Sequence, residues 1–218
     1  MLTTEQRRQF DETGFLVLEK LVQGDLLREI QRESAALIAT EPQEFWRRVW
    51  HERAVFCRKA FRDVLDLEPL ISAERDLLGE DVQLLAIDLL VVRPGQGEVG
   101  WHRDVSFVCD KTLSKNTGIY LTDMTEKMGP LRVFPGSHRW DEPPSERGVD
   151  PLLGEVRVTV GAGTAVFFDA PLWHTGDRNN SDIDRMGLFA YFGNYWVKRR
   201  DNYYTQLLPA DLVSTDDP

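Results

Sequence analysis

The run Trp101-His102-Arg103-Asp104 sets an imidazole and a carboxylate two positions apart. On an extended chain such residues point to the same side, so His102 and Asp104 can converge on one metal ion. A third ligand has to come from elsewhere, and His174, in Pro171-Leu172-Trp173-His174, follows 72 residues later. Two histidines and one carboxylate on one face of a metal leave about three coordination positions open, the arrangement used by non-haem Fe(II) oxygenases. Imidazole suits Fe(II), and the carboxylate offsets part of its charge. An isolated His-x-Asp is a weak signal that a solvated surface pair explains better, so the assignment depends on its surroundings.

The elements that must position these residues change character along the chain. Up to about residue 80 the pattern is mostly helical. Thr3 and Gln6 can form a capping box ahead of a short helix ending near Gly14. Phe15–Leu18 reads as a short strand. Apolar residues at 26, 27, 30, 37 and 38, set among charges, predict a helix from Asp25 to about Ile38. Phe45–Trp50 continues in that helical style. From Val82 onward, short apolar runs bounded by Gly, Pro, Asn and Asp predict many strands: LLAIDLLVV, TGIYLTDM, LRVF, EVRVTV, TAVFF and MGLFAYFGNYWV. Residues 106–116 and 139–154 lack strand character, and the second stretch, rich in Pro, Gly and charge, reads as a surface loop or lid. The expected fold is mainly β with flanking helices. A double-stranded β-helix (a jelly roll, cupin-like) would span about 82–198, buttressed by N-terminal helices over about 1–80, in one domain covering 1–218.

Bulk properties narrow the function classes. A net charge of −10 and a pI near 4.9 argue against a general nucleic-acid or anionic-membrane surface, because both attract clustered Lys and Arg. The longest apolar stretch, Val82–Val92, is broken by Gln83 and Asp88 and is about half of what a bilayer requires. The first residues lack an apolar signal core. A cytoplasmic protein with a small-molecule substrate, and without nucleic-acid or membrane partners, is expected; oligomeric state is not legible. Cys57 and Cys109 are expected as two free thiols.

Longer motifs bring in a resemblance. LTTEQRRQFDETGFLVLEKLV at the start, then VVRPG and WHRD, then LTDMTEKMGPLRVFPGSH and finally HTGDRNNSDIDR follow one another in order. Together they resemble the phytanoyl-CoA dioxygenase family of iron- and 2-oxoglutarate-dependent oxygenases over most of the chain. In the last motif the family's distal histidine is followed by Asn, Ser and Arg at offsets five, seven and eleven, here His174, Asn179, Ser181 and Arg185. The resemblance implies Fe(II) held by His102, Asp104 and His174, with 2-oxoglutarate and O2 as co-substrates. It implies that Arg185 takes the distal carboxylate of 2-oxoglutarate, a role suited to a guanidinium that forms two parallel hydrogen bonds with a carboxylate. Relatives often carry Ser or Thr two residues past the distal histidine as a second carboxylate contact; this chain has Gly176 there. Tyr120 lies where relatives place residues flanking the co-substrate, although a phenol satisfied by the backbone fits the sequence as well.

The reaction so implied is oxidative decarboxylation of 2-oxoglutarate to succinate and CO2, coupled to oxidation of a C–H bond. Hydroxylation is the first expectation, with cyclisation, desaturation and epimerisation as alternatives on the same scaffold. A jelly-roll module that binds a ligand without turnover is the reading from another class. Asp104 argues against halogenation, since halogenating relatives have a small residue in its place. If Ile87, Leu89 and Val91 form the wall facing the metal, with Asp88 pointing away and Phe107 nearby, the substrate is a mainly apolar small molecule, such as an intermediate of specialised metabolism. No basic cluster stands out to hold an acyl-CoA, since Lys198–Arg200 reads as a solvated strand end. His138 is expected to fix its own turn by a local hydrogen bond, and His51 to be a surface residue.

Overall fold

The computed structural model describes residues 1–40, 47–50, 55–106, 108–148 and 154–197. Helix α1 (Thr4–Thr13) opens with the expected capping box: the Thr3 hydroxyl accepts from the Gln6 N–H at 3.2 Å, and the Gln6 side chain accepts from the Thr3 N–H at 2.8 Å. Gly14 ends the helix at φ 80°, returning its N–H to the Phe10 carbonyl. A side chain there would strike the His138 ring and would pay the usual penalty of the left-handed region. Strand β1 (Phe15–Leu18) follows, then α2 (Gly24–Ile38), β2 (Arg47–Trp50), α3 (Lys59–Leu65) and α4 (Glu68–Leu78).

The helical expectation for Phe45–Trp50 is corrected. Arg47–Trp50 is a strand, antiparallel to β3 with Arg47 opposite Val92 and Trp50 opposite Leu89; Phe45 lies outside the described residues. A helix nucleus is costly for so short a stretch, whereas a strand edge offers backbone partners at once.

The remaining strands are β3 (Val82–Val92), β4 (Val99–His102), β5 (Ser114–Tyr120), β6 (Leu131–Val133), β7 (Val156–Val158), β8 (Ala165–Asp169), β9 (His174–Gly176) and β10 (Arg185–Asn194). They form a six-stranded sheet in the order β1-β8-β5-β10-β3-β2 and a four-stranded sheet in the order β4-β9-β6-β7. All named pairings are antiparallel. This is the expected jelly roll. The largely helical first part does more than buttress it, since it supplies both edge strands of the larger sheet. Among the described residues no helix is long and apolar enough to cross a membrane.

The pleat of the larger sheet divides its side chains between two compartments. Ile87, Leu89 and Val91 of β3, Ile119 of β5, Phe167 of β8 and Leu188 of β10 lie in one cluster with Ile30, Phe61 and Leu70 of the helices. Tyr120, Val166 and Phe168 face the other way, clustering with Met128, Val133 and Val158 between the sheets. This reverses the expectation for β3. Ile87, Leu89 and Val91 are fully buried beneath the helices, while Asp88 and Leu90 line the cavity between the sheets. Alternation fixes which residues share a face; the apolar stripes of the helices decide which face is theirs, because covering them removes more apolar area from water.

A charged pair sits inside the helix-facing layer. Lys115 of β5 and Glu74 of α4, both with fully buried side chains, form an ion pair at 2.5 Å. Thr117 donates its hydroxyl to Glu74 at 2.8 Å and accepts from Lys115 at 3.1 Å, and the ammonium lies 4.4 Å from the Phe167 ring centroid. Burial raises the affinity of Glu74 for its proton and lowers that of Lys115, and their mutual attraction opposes both shifts. Removing one partner strands a buried charge, whereas removing both leaves an apolar contact. Lys115→Met is therefore expected to cost about 3–5 kcal/mol in urea unfolding, and Lys115→Met/Glu74→Leu to recover most of it. A double variant no more stable than the single one would show that the pair is not what the helix-facing layer depends on.

Candidate metal centre

Strands β4 and β9 are neighbours in the smaller sheet, and their register sets His102 directly opposite His174. The two rings lie 4.3 Å apart between centroids. Asp104 follows β4 in a turn held by its own N–H, which donates to the Ala170 carbonyl at 2.8 Å. Each of the three residues offers a ligand atom within 4.8 Å of the others, and Asp104 Oδ1 lies 3.9 Å from His174 Nε2. The trio expected from the sequence is therefore assembled in space.

The imidazoles are oriented by the backbone. His102 Nδ1 lies 2.9 Å from the Gly100 carbonyl and His174 Nδ1 lies 2.8 Å from the Leu172 carbonyl. A carbonyl can only accept, so Nδ1 carries the proton in both rings and Nε2 keeps its lone pair, the tautomer a metal requires. Burial lowers the proton affinity of His174, with Asp104 opposing and His102 adding to the effect; a neutral imidazole is the ligating form. Two imidazoles and one carboxylate, with no thiolate, fit Fe(II). His174 is buried while His102 is exposed, so the cluster lies between the core and the open mouth of the cavity.

Arg185, the first residue of β10, lines the same cavity. Its Nη1 donates to the carbonyls of Met128 at 3.2 Å, Asp177 at 3.1 Å and Gly129. These contacts fix the guanidinium, a group with five N–H donors, at the cavity wall. A Cβ at Gly176 would lie 3.7 Å from Nη2, which puts the position where relatives carry a hydroxyl right beside the guanidinium. Tyr120, 4% exposed, also lines the cavity; burial pushes its hydroxyl well above the ordinary range against the pull of Arg185, so it stays a neutral phenol. The Phe189 ring, edge-on to Tyr120 at 6.2 Å between centroids, lies over Gly118 and Gly187, where a Cβ would approach it to 2.9 and 2.8 Å. The space between these residues, open at its mouth, is about 920 Å³.

Asn179 and Ser181 brace the turn before Arg185. Fully buried Asn179 donates to the carbonyls of Val92 and Ile183, and its Oδ1 accepts from the Ser181 hydroxyl. His138 lies outside the His102–Asp104–His174 cluster, and its hydrogen bond is long-range instead of local. Its Nε2 lies 3.2 Å from the Asp11 carbonyl, where Arg139 also donates, so the PGSH segment caps the end of α1. Sequence reasoning missed Asn116, whose amide lies 3.5 Å from Asp104 Oδ2, and Arg103, which donates to the Trp140 and Ser106 carbonyls beneath the metal turn. Neither carries a signal beyond its place next to a motif. Phe107, His51 and Lys198–Arg200 lie outside the described residues. Cys57 and Cys109 are free and exposed.

A jelly roll with two histidines and a carboxylate at the end of one sheet, and an arginine across the same cavity, has the layout of a non-haem iron oxygenase. The profile of phytanoyl-CoA dioxygenase (PhyH) matches residues 10–187, and the chain belongs to that family. Among curated relatives it is 30% identical to dioxygenase af480 of Aspergillus fumigatus over 165 residues, 72% of this chain and 52% of that protein. It is 26% identical to an ectoine dioxygenase of Nocardia farcinica, covering 88% of this chain and 78% of that one. The chain spans about half the length of af480 and of andF from Emericella variicolor. Among solved structures, HygX from Streptomyces hygroscopicus, with nickel and 2-oxoglutarate bound, superposes with a TM-score of 0.78 at 20% identity over 98% of this chain and 95% of that one, a likeness of fold. EctD from S. alaskensis with bound Fe gives a TM-score of 0.74 at 26% identity over 88% and 77% of the two chains.

Two predictions follow from this geometry. His174→Ala should weaken binding of Fe(II), titrated anaerobically, by roughly 100-fold or more while the protein without metal melts as before; undiminished binding would remove His174 from the ligand set. Asp169, buried at the end of β8, is pushed up from 3.8 to about 6, chiefly by burial, against hydrogen bonds from Thr112 and Ala170 and the charge of Lys115. The folded state then holds a proton that the unfolded state releases, so this residue makes stability fall as pH rises from 3.8 towards about 6. Asp169→Asn should flatten that slope in unfolding experiments across the window, and an unchanged slope would assign it to other groups.

Proposed function

We propose that the chain is an Fe(II)- and 2-oxoglutarate-dependent dioxygenase that hydroxylates a C–H bond of a small molecule. The observation that carries this reading is the pair of histidines whose Nδ1 atoms are engaged by backbone carbonyls and whose ligand atoms lie within 4.8 Å of each other and of Asp104, with Arg185 in the same cavity. His102, Asp104 and His174 would hold the iron. Arg185 would bind the distal carboxylate of 2-oxoglutarate, with Tyr120 beside it as the hydroxyl that Gly176 lacks. Bound iron, with O2 and 2-oxoglutarate, supplies an oxidation in which one oxygen atom goes to succinate, formed with CO2, and the other to the substrate.

The chain's own groups do the positioning. The Gly100 and Leu172 carbonyls hold the rings in their ligating tautomer. Gly118 and Gly187 leave room for the Phe189 ring on the cavity wall. Tyr120 remains protonated and so can donate to a carboxylate. Asp104 keeps a coordination position that halogenation would need vacant. The wall expected to be apolar is mixed, because Asp88 replaces Ile87, Leu89 and Val91 on the cavity side, so the substrate is read as a small molecule with polar as well as apolar parts.

Anaerobic Fe(II) plus 2-oxoglutarate should give wild-type protein a weak visible charge-transfer band. Arg185→Ala should raise the KM for 2-oxoglutarate by at least about tenfold, the scale of one lost charge-assisted contact, with folding unaffected; an unchanged KM would remove its role. Succinate release screened over small molecules should yield a product heavier by one oxygen atom. A product lighter by two hydrogens would replace hydroxylation with desaturation or ring closure, and absence of succinate with every compound would favour a binding module.

A further inference from the structure

The two ends of the cavity differ in chemistry. Arg185 and Tyr120 line one end. At the other, three polar side chains stand on adjacent strands of the larger sheet: Asn116 on β5, Tyr191 opposite it on β10, and Asp88 on β3, whose direct partner is Phe189, two residues before Tyr191. All three line the cavity. Asn116 reaches Asp104 at 3.5 Å, so the row begins at the metal cluster and ends at Asp88. Asp88 is two strand spacings across and two residues along from Asn116, about 12 Å between Cα atoms.

A dicarboxylate is disfavoured at this end, since carboxylate against carboxylate is repulsive while a guanidinium lines the other. A carboxylate accepts hydrogen bonds through about four lone-pair sites, so Asp88 can serve a ligand alongside its partners in the fold. A phenol on the next strand can donate or accept. We propose that Asp88, with Tyr191, determines specificity by anchoring a hydrogen-bond-donating group, an ammonium or a hydroxyl, on the substrate. The anchor holds the far end of the molecule and leaves its near end, past Asn116, at the metal. An isosteric methyl group would leave the acceptor unmatched, and a carboxylate would be repelled; sites built to pair with a donor reject analogues that lack one. The proposal rests on the dioxygenase reading, which places 2-oxoglutarate at the Arg185 end.

The test uses protein loaded anaerobically with Fe(II) and 2-oxoglutarate, so that nothing turns over. Its probes are matched ring compounds bearing a primary amine, a hydroxyl, a methyl or a carboxylate at one position, with affinities measured by saturation-transfer NMR. Wild type should bind the amine or hydroxyl compounds at least about tenfold more tightly than the methyl and carboxylate ones. Asp88→Leu should abolish the preference. Asp88→Asn separates the two donors: it keeps an acceptor oxygen but no charge, so a preference for hydroxyl persists and one for ammonium is lost. The charge-transfer band is read in the same samples. With the band present in all three proteins, a preference that survives Asp88→Leu overturns the proposal, as does equal or undetectable binding of donor and methyl compounds by wild type. Absence of the band from wild type would instead overturn the dioxygenase reading and the proposal with it.

Discussion

The pleat of the six-stranded sheet is the constraint on which the rest depends. A strand gives alternate residues to opposite faces, and here both faces are in use. On β5, Lys115 and Thr117 enter the helix-facing layer while Asn116 and Tyr120 enter the cavity. On β10, Leu188 and Ala190 pack in the core while Gly187, Phe189 and Tyr191 line the cavity. A slip of one residue in any of these strands would exchange the two sets. The buried Lys115–Glu74 pair makes such a slip costly, because it would carry a charge away from its counterion. An interaction on the helix side thus helps to hold the register on which Asn116, Phe189 and Arg185 depend.

The metal cluster belongs to the other sheet, and there the backbone does the positioning. Strands β4 and β9 are only four and three residues long, too short for side-chain packing alone to orient two rings. The carbonyls of Gly100 and Leu172 supply what is missing, each two residues before the histidine it holds. Asp104 is brought in by its own N–H on the Ala170 carbonyl. The larger sheet contributes a floor, and the smaller one a clamp built from main-chain dipoles.

Much of this was legible in the sequence because it is local or periodic. The capping box at Thr3, the strand at Phe15–Leu18, the runs of β3 and β10, and the His-x-Asp spacing all follow from residue types at fixed offsets. What failed did so for want of long-range information. Arg47–Trp50 becomes a strand because of an edge offered by residues more than thirty positions away. Asp88 faces the cavity because helices elsewhere cover the opposite side, which alternation within β3 cannot reveal. His138 bonds to the end of α1 across 127 positions, where a local turn was the natural reading. The resemblance to known motifs identified Arg185, but only the fold shows that Gly176 stands beside it.

The reversal of β3 changes what kind of molecule the cavity suits. With Ile87, Leu89 and Val91 inward, the wall would have been uniformly apolar, and recognition would have rested on area alone. With Asp88 inward, the cavity is lined by a guanidinium and by a carboxylate, and Phe189, on its two glycines, stands directly opposite Asp88. Under the proposed reading such a cavity would orient its contents by charge before selecting them by shape: an anionic co-substrate would be drawn to Arg185 and a donor-bearing molecule to Asp88. Two ligands can then occupy it together without competing for the same end, as a reaction between them at the metal cluster requires.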